Sequence, residues 1–299
     1  MKIFLASPRG FCAGVVRAID IVERALKKYG TPLYIKHQIV HNKYVVESLE
    51  RKGVITVENV EDIPNDANVI FSAHGSSPDD FSQAKKKNLT VIDATCPLVT
   101  KVHNEAIKYK KEGYKVLLVG HRGHQEVRGT MGHTEMHLVD EREDFSLPDW
   151  DDNDQVAVLS QTTLSVDDTK NVINTIKNKY HSTKIRNDIC YATTNRQDSV
   201  KELAKQVEVV LVIGSSNSSN CNRLKEVALS QGTKAYLING VNELSQDWFD
   251  GVNFVGITSG ASTPDNLIED VIDKLKPTEV TTLKTVEENV SFVLPKEFS

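Results

Sequence analysis

Three cysteines, Cys12 (RGFCAG), Cys96 (DATCPL) and Cys190 (NDICYATTN), each open the same run of structure: an amphipathic helical pattern, an apolar strand, then an abrupt polar cluster. The clusters fall at nearly equal distances, with His41 29 residues after Cys12, His124 28 after Cys96 and Asn220 30 after Cys190. A further element pair leads to a second polar stop after an apolar strand: His74 in VIFSAHG, Thr162 and Thr163 in VAVLSQTT, Ser262 in FVGITSGAS. A unit of about 90 to 100 residues used three times is the strongest constraint on the fold. Each copy offers one thiol and two polar loops, and the expected site lies where the units meet.

Apolar spacing in the first unit predicts a strand at 2–6, a helix over 14–29 stopped by Gly30, a strand at 32–40, a helix over 42–52, and strands at 54–57, 68–73 and 90–94. The second unit reads as a helix from Pro97 to about Glu112, a strand at 115–119, a short helix near 125–131, and strands at 136–139 and 156–160. Ser165, with Asp168 three residues on, opens a helix over 166–179 in the manner of a capping box. The third unit predicts a helix over 195–206, a strand at 208–213, a helix over 221–230, and strands at 234–238 and 252–257. Thr263-Pro264 then caps a final helix to Leu275.

Strands alternating with helices at this pitch mean an α/β fold of three pseudo-repeated modules with mostly parallel sheets. The modules divide as 1–96, 97–190 and 191–276, and 277–299 is a tail whose alternating SFVLP is expected to return to a sheet edge. The acidic stretch 141–155 reads as an insertion loop.

With 39% hydrophobic and 26% charged residues and a net charge of -5, the composition is that of a globular chain and calls for neither nucleic acid nor membrane. The basic runs Lys85 to Lys87 and Lys108 to Lys111 sit at helix ends, where they complement the helix dipole. MKIFLAS reads directly as a strand, not as a targeting segment, so a cytoplasmic location is expected. In that reducing compartment the four cysteines are inert core residues, catalytic thiols or metal ligands.

No two cysteines stand in a C-x2-C pair, which argues against structural zinc. One cysteine after a strand is by itself a small buried hydrophobe, but three at equivalent positions suit an iron-sulfur cluster with one iron left without a protein ligand. Such an iron is a Lewis acid. Cys221 lies inside a helix start and breaks the pattern, so it reads as non-ligating. The turns GSSNSSNC and SGASTPDN aim hydroxyls and backbone N–H groups at a phosphate, or serve as ordinary helix caps. His41 and His74 end apolar strands and add tunable charge to the same mouth. In GHRGHQEVRGTMGH, Glu126 follows His124 by two residues, a place from which a carboxyl delivers protons with Thr162 approaching from the same side; a plain first-turn helix residue is the alternative.

The segments FCAGVVRAI, QIVHN, SAHGSSP, DATCPLV, GHRGHQEVRGTMGH, SQTTLSVDDT, DICYATTNRQ, GSSNSSN and TSGASTPD closely resemble the IspH/LytB family of 4-hydroxy-3-methylbut-2-enyl diphosphate reductases, and the resemblance runs from residue 1 to the PKEF near the end. It implies a three-module trefoil around a central 4Fe-4S cluster ligated by Cys12, Cys96 and Cys190, whose open iron binds the substrate hydroxyl. It implies that His41, His74, Ser218, Asn220 and Ser262 hold the diphosphate with Ser219 nearby. It places His124, Glu126 and Thr162 around the hydroxyl, with Glu126 as proton donor. Two electrons and two protons would release water and give isopentenyl and dimethylallyl diphosphate, the last step of the non-mevalonate isoprenoid pathway. The implied electron donor is a flavodoxin or ferredoxin with its reductase. Two other classes use part of this set: a cluster-bearing redox sensor or electron carrier would need the thiols alone, and a zinc or magnesium phosphohydrolase the histidines alone.

Overall fold

The segment Val209–Ile213, VVLVI, is apolar at every position, as expected of a strand covered on both faces and flanked by parallel neighbours. All five residues are buried in the computed structural model, which describes residues 1–143 and 145–298. Asp144, within the acidic stretch of the sequence, lies outside the described residues.

In chain order the elements begin with β1 (Lys2–Ser7), α1 (Ala13–Tyr29), β2 (Leu33–Lys36), α2 (Lys43–Glu50) and β3 (Val54–Val57). Next come β4 (Asn68–Phe71), α3 (Pro78–Lys86), β5 (Thr90–Asp93), α4 (Pro97–Lys111), β6 (Lys115–Val119) and α5 (Gln125–Met131). They continue with β7 (His137–Val139), β8 (Gln155–Ser160), α6 (Val166–Lys179), β9 (Ser182–Ile185), α7 (Tyr191–Ala204) and β10 (Val209–Ile213). The last are α8 (Ser219–Ser230), β11 (Lys234–Ile238), β12 (Phe254–Ser259), α9 (Asp265–Leu275) and β13 (Glu279–Lys284). Among the described residues no helix is long and apolar enough to cross a membrane.

The strands form three sheets of order β11-β10-β12-β1-β13, β3-β2-β4-β5 and β7-β6-β8-β9, and every pairing is parallel. The chain forms two compact units. One comprises Met1–Val16, Val40–Ser48 and Tyr191–Ser291 and holds the first sheet; the other comprises Arg17–Ile39, Leu49–Cys190 and the segment from Phe292, and holds the other two.

One topology is repeated in all three sheets. The chain enters at the second position (β10, β2, β6), moves to the edge (β11, β3, β7), then crosses back to the far side of its first strand (β12, β4, β8). The gap between first and third strands is therefore a topological switch point, where two loops diverge at the carboxyl ends and leave a crevice. Both polar stops of each sequence repeat follow those two strands. The fourth position is taken by β5, β9 and, in the first sheet, β1. The amino-terminal strand, read from sequence at the head of the first unit, thus pairs with β12 and β13, through Ile3↔Val255 and Ile3↔Val280. A parallel ladder does not require neighbours in sequence, and β1 supplies the strand that the third repeat lacks.

Packing follows the period of two. Val209, Leu211 and Ile213 join Leu267, Ile268 and Val271 of α9 on one face, while Val210 and Val212 join Val200 and Leu203 of α7 and Leu224 of α8 on the other. Each such side chain, taken fully out of water, contributes about 1.5 to 3 kcal/mol. The tail does return to a sheet edge, but through EVTTLK in β13 (Lys2↔Glu279 to Ser7↔Lys284), not through SFVLP.

Several boundaries differ from the sequence expectation for local reasons. The strand expected at 32–40 ends at Lys36, because His37 turns to a left-handed φ of 58°. Helices α7 and α8 start earlier, at Tyr191 and Ser219. Thr263 does not cap α9: its hydroxyl donates to Ile213 O at 2.9 Å, and Pro264 is the N-cap residue. Ser165 accepts the Asp168 N–H as expected. Helix α3 was not anticipated, although Ser77, Pro78 and Asp80 give it a full capping box.

Candidate active site

The three repeated cysteines share one backbone anchor. The N–H of Cys12 donates to Ala261 O at 3.1 Å, that of Cys96 to Ala73 O at 3.0 Å, and that of Cys190 to Thr162 O at 3.0 Å. Each acceptor is the second residue after the third strand of its sheet, β12, β4 or β8. Each cysteine also stands immediately before a helix, α1, α4 or α7. None of the three is in a disulfide, and all are half-buried.

Cys221 differs in position and burial. It is fully buried in the first turn of α8, within the first sheet's core, and burial pushes its thiol up, against hydrogen bonds from its neighbours. A Cβ on Gly214 or Gly260 would overlap its sulfur. Cys221 is the spacer between the loops after β10 and β12, and those glycines are the room it occupies.

The loops of that unit are polar and tightly held. Ser218 is the N-cap of α8, its hydroxyl accepting the Cys221 N–H at 3.4 Å, and Ser219 and Asn220 form the first turn of the helix, not a loop as the sequence suggested. Asn220 Oδ1 accepts the Ala261 N–H at 3.0 Å. Its Nδ2 is buried with no hydrogen-bond partner among the described residues. Ser262 donates its hydroxyl to His41 O at 2.9 Å, and Ser215, which the sequence reading missed, accepts the Lys43 N–H at 2.9 Å. A buried, unsatisfied amide donor beside a helix N-terminus is a place for an anion.

The second unit places His74, His124, Glu126 and Thr162 in the loops that follow β4, β6 and β8 or in the helix start beyond them. Glu126 lies in the first turn of α5 and is only 3% exposed. Thr162 clasps its carboxylate with two donors, the N–H to Oε1 at 2.6 Å and the hydroxyl to Oε2 at 2.8 Å. Burial pushes the Glu126 carboxyl up to about 7; the two Thr162 bonds oppose that rise and the charge of Asp188 adds to it. A carboxyl poised there holds its proton near neutrality and can give it away. His124 is the N-cap of α5, and its Nδ1 accepts the Glu126 N–H at 3.2 Å, so the proton of the neutral ring is on Nε2. The His74 ring meets His124 edge to face at 6.1 Å.

Sequence reasoning did not single out Asp188, two residues before Cys190. Its side chain is buried beside Lys101 at 3.4 Å, and burial and then Glu105 push its carboxyl up. The acid just before the cysteine in both DATC and NDIC was the available signal. His103 and His133 were also missed. Their ring centres lie 4.1 Å apart with the planes tilted by 31°, and burial and the neighbouring ring push His103 down to about 3. Gly75 leaves just enough space for His103 to pack under the His74 loop.

Parallel sheets with polar loops at their carboxyl ends, cysteines at three helix starts and a buried carboxyl pushed up to about 7 suit an α/β oxidoreductase. The family model described as "LytB protein" matches residues 3–276. The chain is 50% identical over 307 residues to a 4-hydroxy-3-methylbut-2-enyl diphosphate reductase of Actinobacillus pleuropneumoniae, covering 99% of this chain and 98% of the relative. It is 49% identical over 308 residues to the protein of that name in Pseudomonas aeruginosa, with coverage of 99% and 98%. A solved E-1-hydroxy-2-methyl-but-2-enyl-4-diphosphate reductase of Plasmodium falciparum superposes with a TM-score of 0.94 at 38% identity, covering 99% of this chain and 96% of its own. A second solved reductase of the non-mevalonate pathway gives 0.64 at 35% identity, with coverage of 92% and 99%. The chain belongs to the LytB family.

Proposed function

We propose that this protein reductively removes the hydroxyl of (E)-4-hydroxy-3-methylbut-2-enyl diphosphate, giving isopentenyl and dimethylallyl diphosphate in the cytoplasm, with Cys12, Cys96 and Cys190 holding a 4Fe-4S cluster. The donor set fits that group. Three half-buried thiols outside any disulfide hang from equivalent backbone positions at helix starts, and three thiolates leave one of four irons without a protein ligand. When bound, the cluster supplies the electrons and a Lewis-acidic iron.

The remaining work belongs to side chains of the chain itself. His41, His74, Ser218, Asn220 and Ser262 bind the diphosphate, with Ser219 beside them. The buried Nδ2 of Asn220 offers the donor that a phosphate oxygen would satisfy. Removing the hydroxyl consumes two electrons and two protons and leaves water. Glu126 supplies the proton that departs with the hydroxyl oxygen, because hydroxide is a poor leaving group without one. Thr162 fixes both carboxylate oxygens, and His124, whose neutral ring carries its proton on Nε2, donates toward the substrate. Electrons come from a flavodoxin or ferredoxin with its reductase.

The observation that carries this reading is the double role of Thr162. Its carbonyl anchors the Cys190 N–H, while its N–H and hydroxyl clasp Glu126, so one residue ties the acid to a cluster thiol. The test is anaerobic purification followed by visible absorption, iron per chain and turnover with a strong artificial reductant. A brown protein that forms both products supports the reading. A colourless, iron-free protein that hydrolyses phosphate esters would replace it with a phosphohydrolase, and a brown protein that does not bind the diphosphate would replace it with an electron carrier.

A further inference from the structure

Arg196 is the bulkiest fully buried side chain among the described residues, at 0% exposure, and nothing in the proposed reaction uses it. A buried guanidinium costs more than an apolar side chain of its size unless it is paired and hydrogen-bonded, and although its Nε has no hydrogen-bond partner among the described residues, both terminal nitrogens do. Its Nη2 donates to Gly10 O at 2.8 Å. Its Nη1 donates to Ala192 O at 3.0 Å, and to Glu288 Oε1 at 2.9 Å and Oε2 at 3.2 Å. Gly10 stands two residues before Cys12 with a left-handed φ of 69°.

The rest of the Cys12 loop is claimed in the same way. The Gly10 N–H donates to Ser259 Oγ at 2.8 Å, the Cys12 N–H to Ala261 O at 3.1 Å, and the Ala13 N–H to Tyr191 Oη at 3.2 Å. Arg196 is the charged member of this clamp, and its counter-ion comes from the tail. Glu288 follows β13, is held also by Asn195 Nδ2 at 3.1 Å, and is anchored upstream where the Thr285 N–H donates to Ser7 O at 2.9 Å.

The geometry points to Glu288 and Arg196 as positioning residues for Cys12: the tail carboxylate fixes the guanidinium, the guanidinium fixes the Gly10 carbonyl, and that carbonyl fixes the loop presenting the thiol. This inference rests on the assignment of Cys12 as a cluster ligand. The carboxyl-terminal segment is then part of the cluster-holding architecture, although it carries no ligand of its own.

The test compares wild type with Glu288→Gln, which keeps the side-chain shape and removes the charge. Iron release from the full-length holoprotein to a chelator is followed while an alkylating reagent traps freed thiols, and labelled peptides are quantified by mass spectrometry. Iron should leave at least about tenfold faster, the lower range for losing a partner that orients a metal ligand, with Cys12 labelled ahead of Cys96 and Cys190. Unchanged release, or equal acceleration at all three cysteines, overturns the positioning role, since general loosening of the fold has no reason to single out Cys12. Should Glu288→Gln fail to fold, Asn195→Ala removes one of the donors to Glu288 and should show the same selectivity at smaller size. A wild-type chain that carries no iron would refute the cluster reading instead. In that case labelling of the iron-free full-length chain still decides whether Glu288 controls Cys12 selectively.

Discussion

Replacing Glu126 with Gln tests the chemistry and the electrostatics together. Gln keeps the volume of the site, and its carbonyl can still accept the Thr162 N–H that now reaches Glu126 at 2.6 Å, so the cluster and the fold should survive. It has no acidic proton to deliver, and turnover should drop at least about a hundredfold, the lower range for general acid catalysis. In the wild type, activity should decline as pH rises through about 7, where burial has placed the Glu126 carboxyl. The same burial fixes a stability effect. The folded carboxyl titrates near 7 and the unfolded one near its ordinary 4.5, so below 4.5 both states hold the proton and folding is unaffected. Between those values only the folded state holds it, and stability is lost as pH rises, reaching about 3 kcal/mol above 7. Glu126→Gln has no such loss, so the variant should gain on wild type by about that amount between pH 4 and pH 8. Urea unfolding of the iron-free chain at several pH values measures this, and assays with a strong artificial reductant measure the turnover. Near-normal turnover in the variant, or an identical pH dependence of stability in the two proteins, would refute the reasoning.

Cys12→Ser, Cys96→Ser and Cys190→Ser should each lose most of the iron and activity while Cys221→Ser keeps both, as read by iron content and visible absorption; a colourless but folded Cys221→Ser protein contradicts the ligand set. Asn220→Asp retains the acceptor for the Ala261 N–H but puts a charge where a buried donor pointed, so KM should rise about tenfold or more at unchanged iron content; an unchanged KM removes Asn220 from the diphosphate site. Gly260→Ala forces a methyl onto Cys221 Sγ and should cost about 1 to 3 kcal/mol of stability. Adding Cys221→Ala should recover part of that cost, and a strictly additive double mutant would show that the clash is not the cause.

Much of the scaffold was legible because its repeat is written in residue types that are scarce elsewhere. A thiol and two polar stops recur at fixed spacing, and apolar strands such as 115–119 and 234–238 fall where their β-branched and leucine runs place them. The placement of β1 was not legible, since a strand at residues 2–7 carries no local mark of a partner at 254–259. The tail strand was hidden for a related reason: EVTTLK is exposed at most positions and shows no apolar face. At the site, the residue types and their order were readable, but pairings were not. That Glu126 is clasped twice by Thr162, or that Arg196 reaches Gly10, 186 positions away, depends on loop geometry with no sequence signature.

The three sheets also show how one architecture can be repeated without repeating its chemistry. The second residue after the third strand accepts the cysteine N–H in every copy, and a backbone carbonyl does that whatever the side chain. The side chain is therefore free to differ: Ala73 and Ala261 in the first and last copies, Thr162 in the middle one. Only the middle copy, residues 97–190, places a hydroxyl there, and only that copy has a carboxylate clasped by it, in the first turn of the helix after its first strand. The first polar stops diverge in the same manner, with His41 and Asn220 where the middle copy has His124. Backbone hydrogen bonds thus preserve a common thiol position, while the side chains at the switch-point loops differ from copy to copy, which under the proposed function separates anion binding in two copies from proton delivery in one.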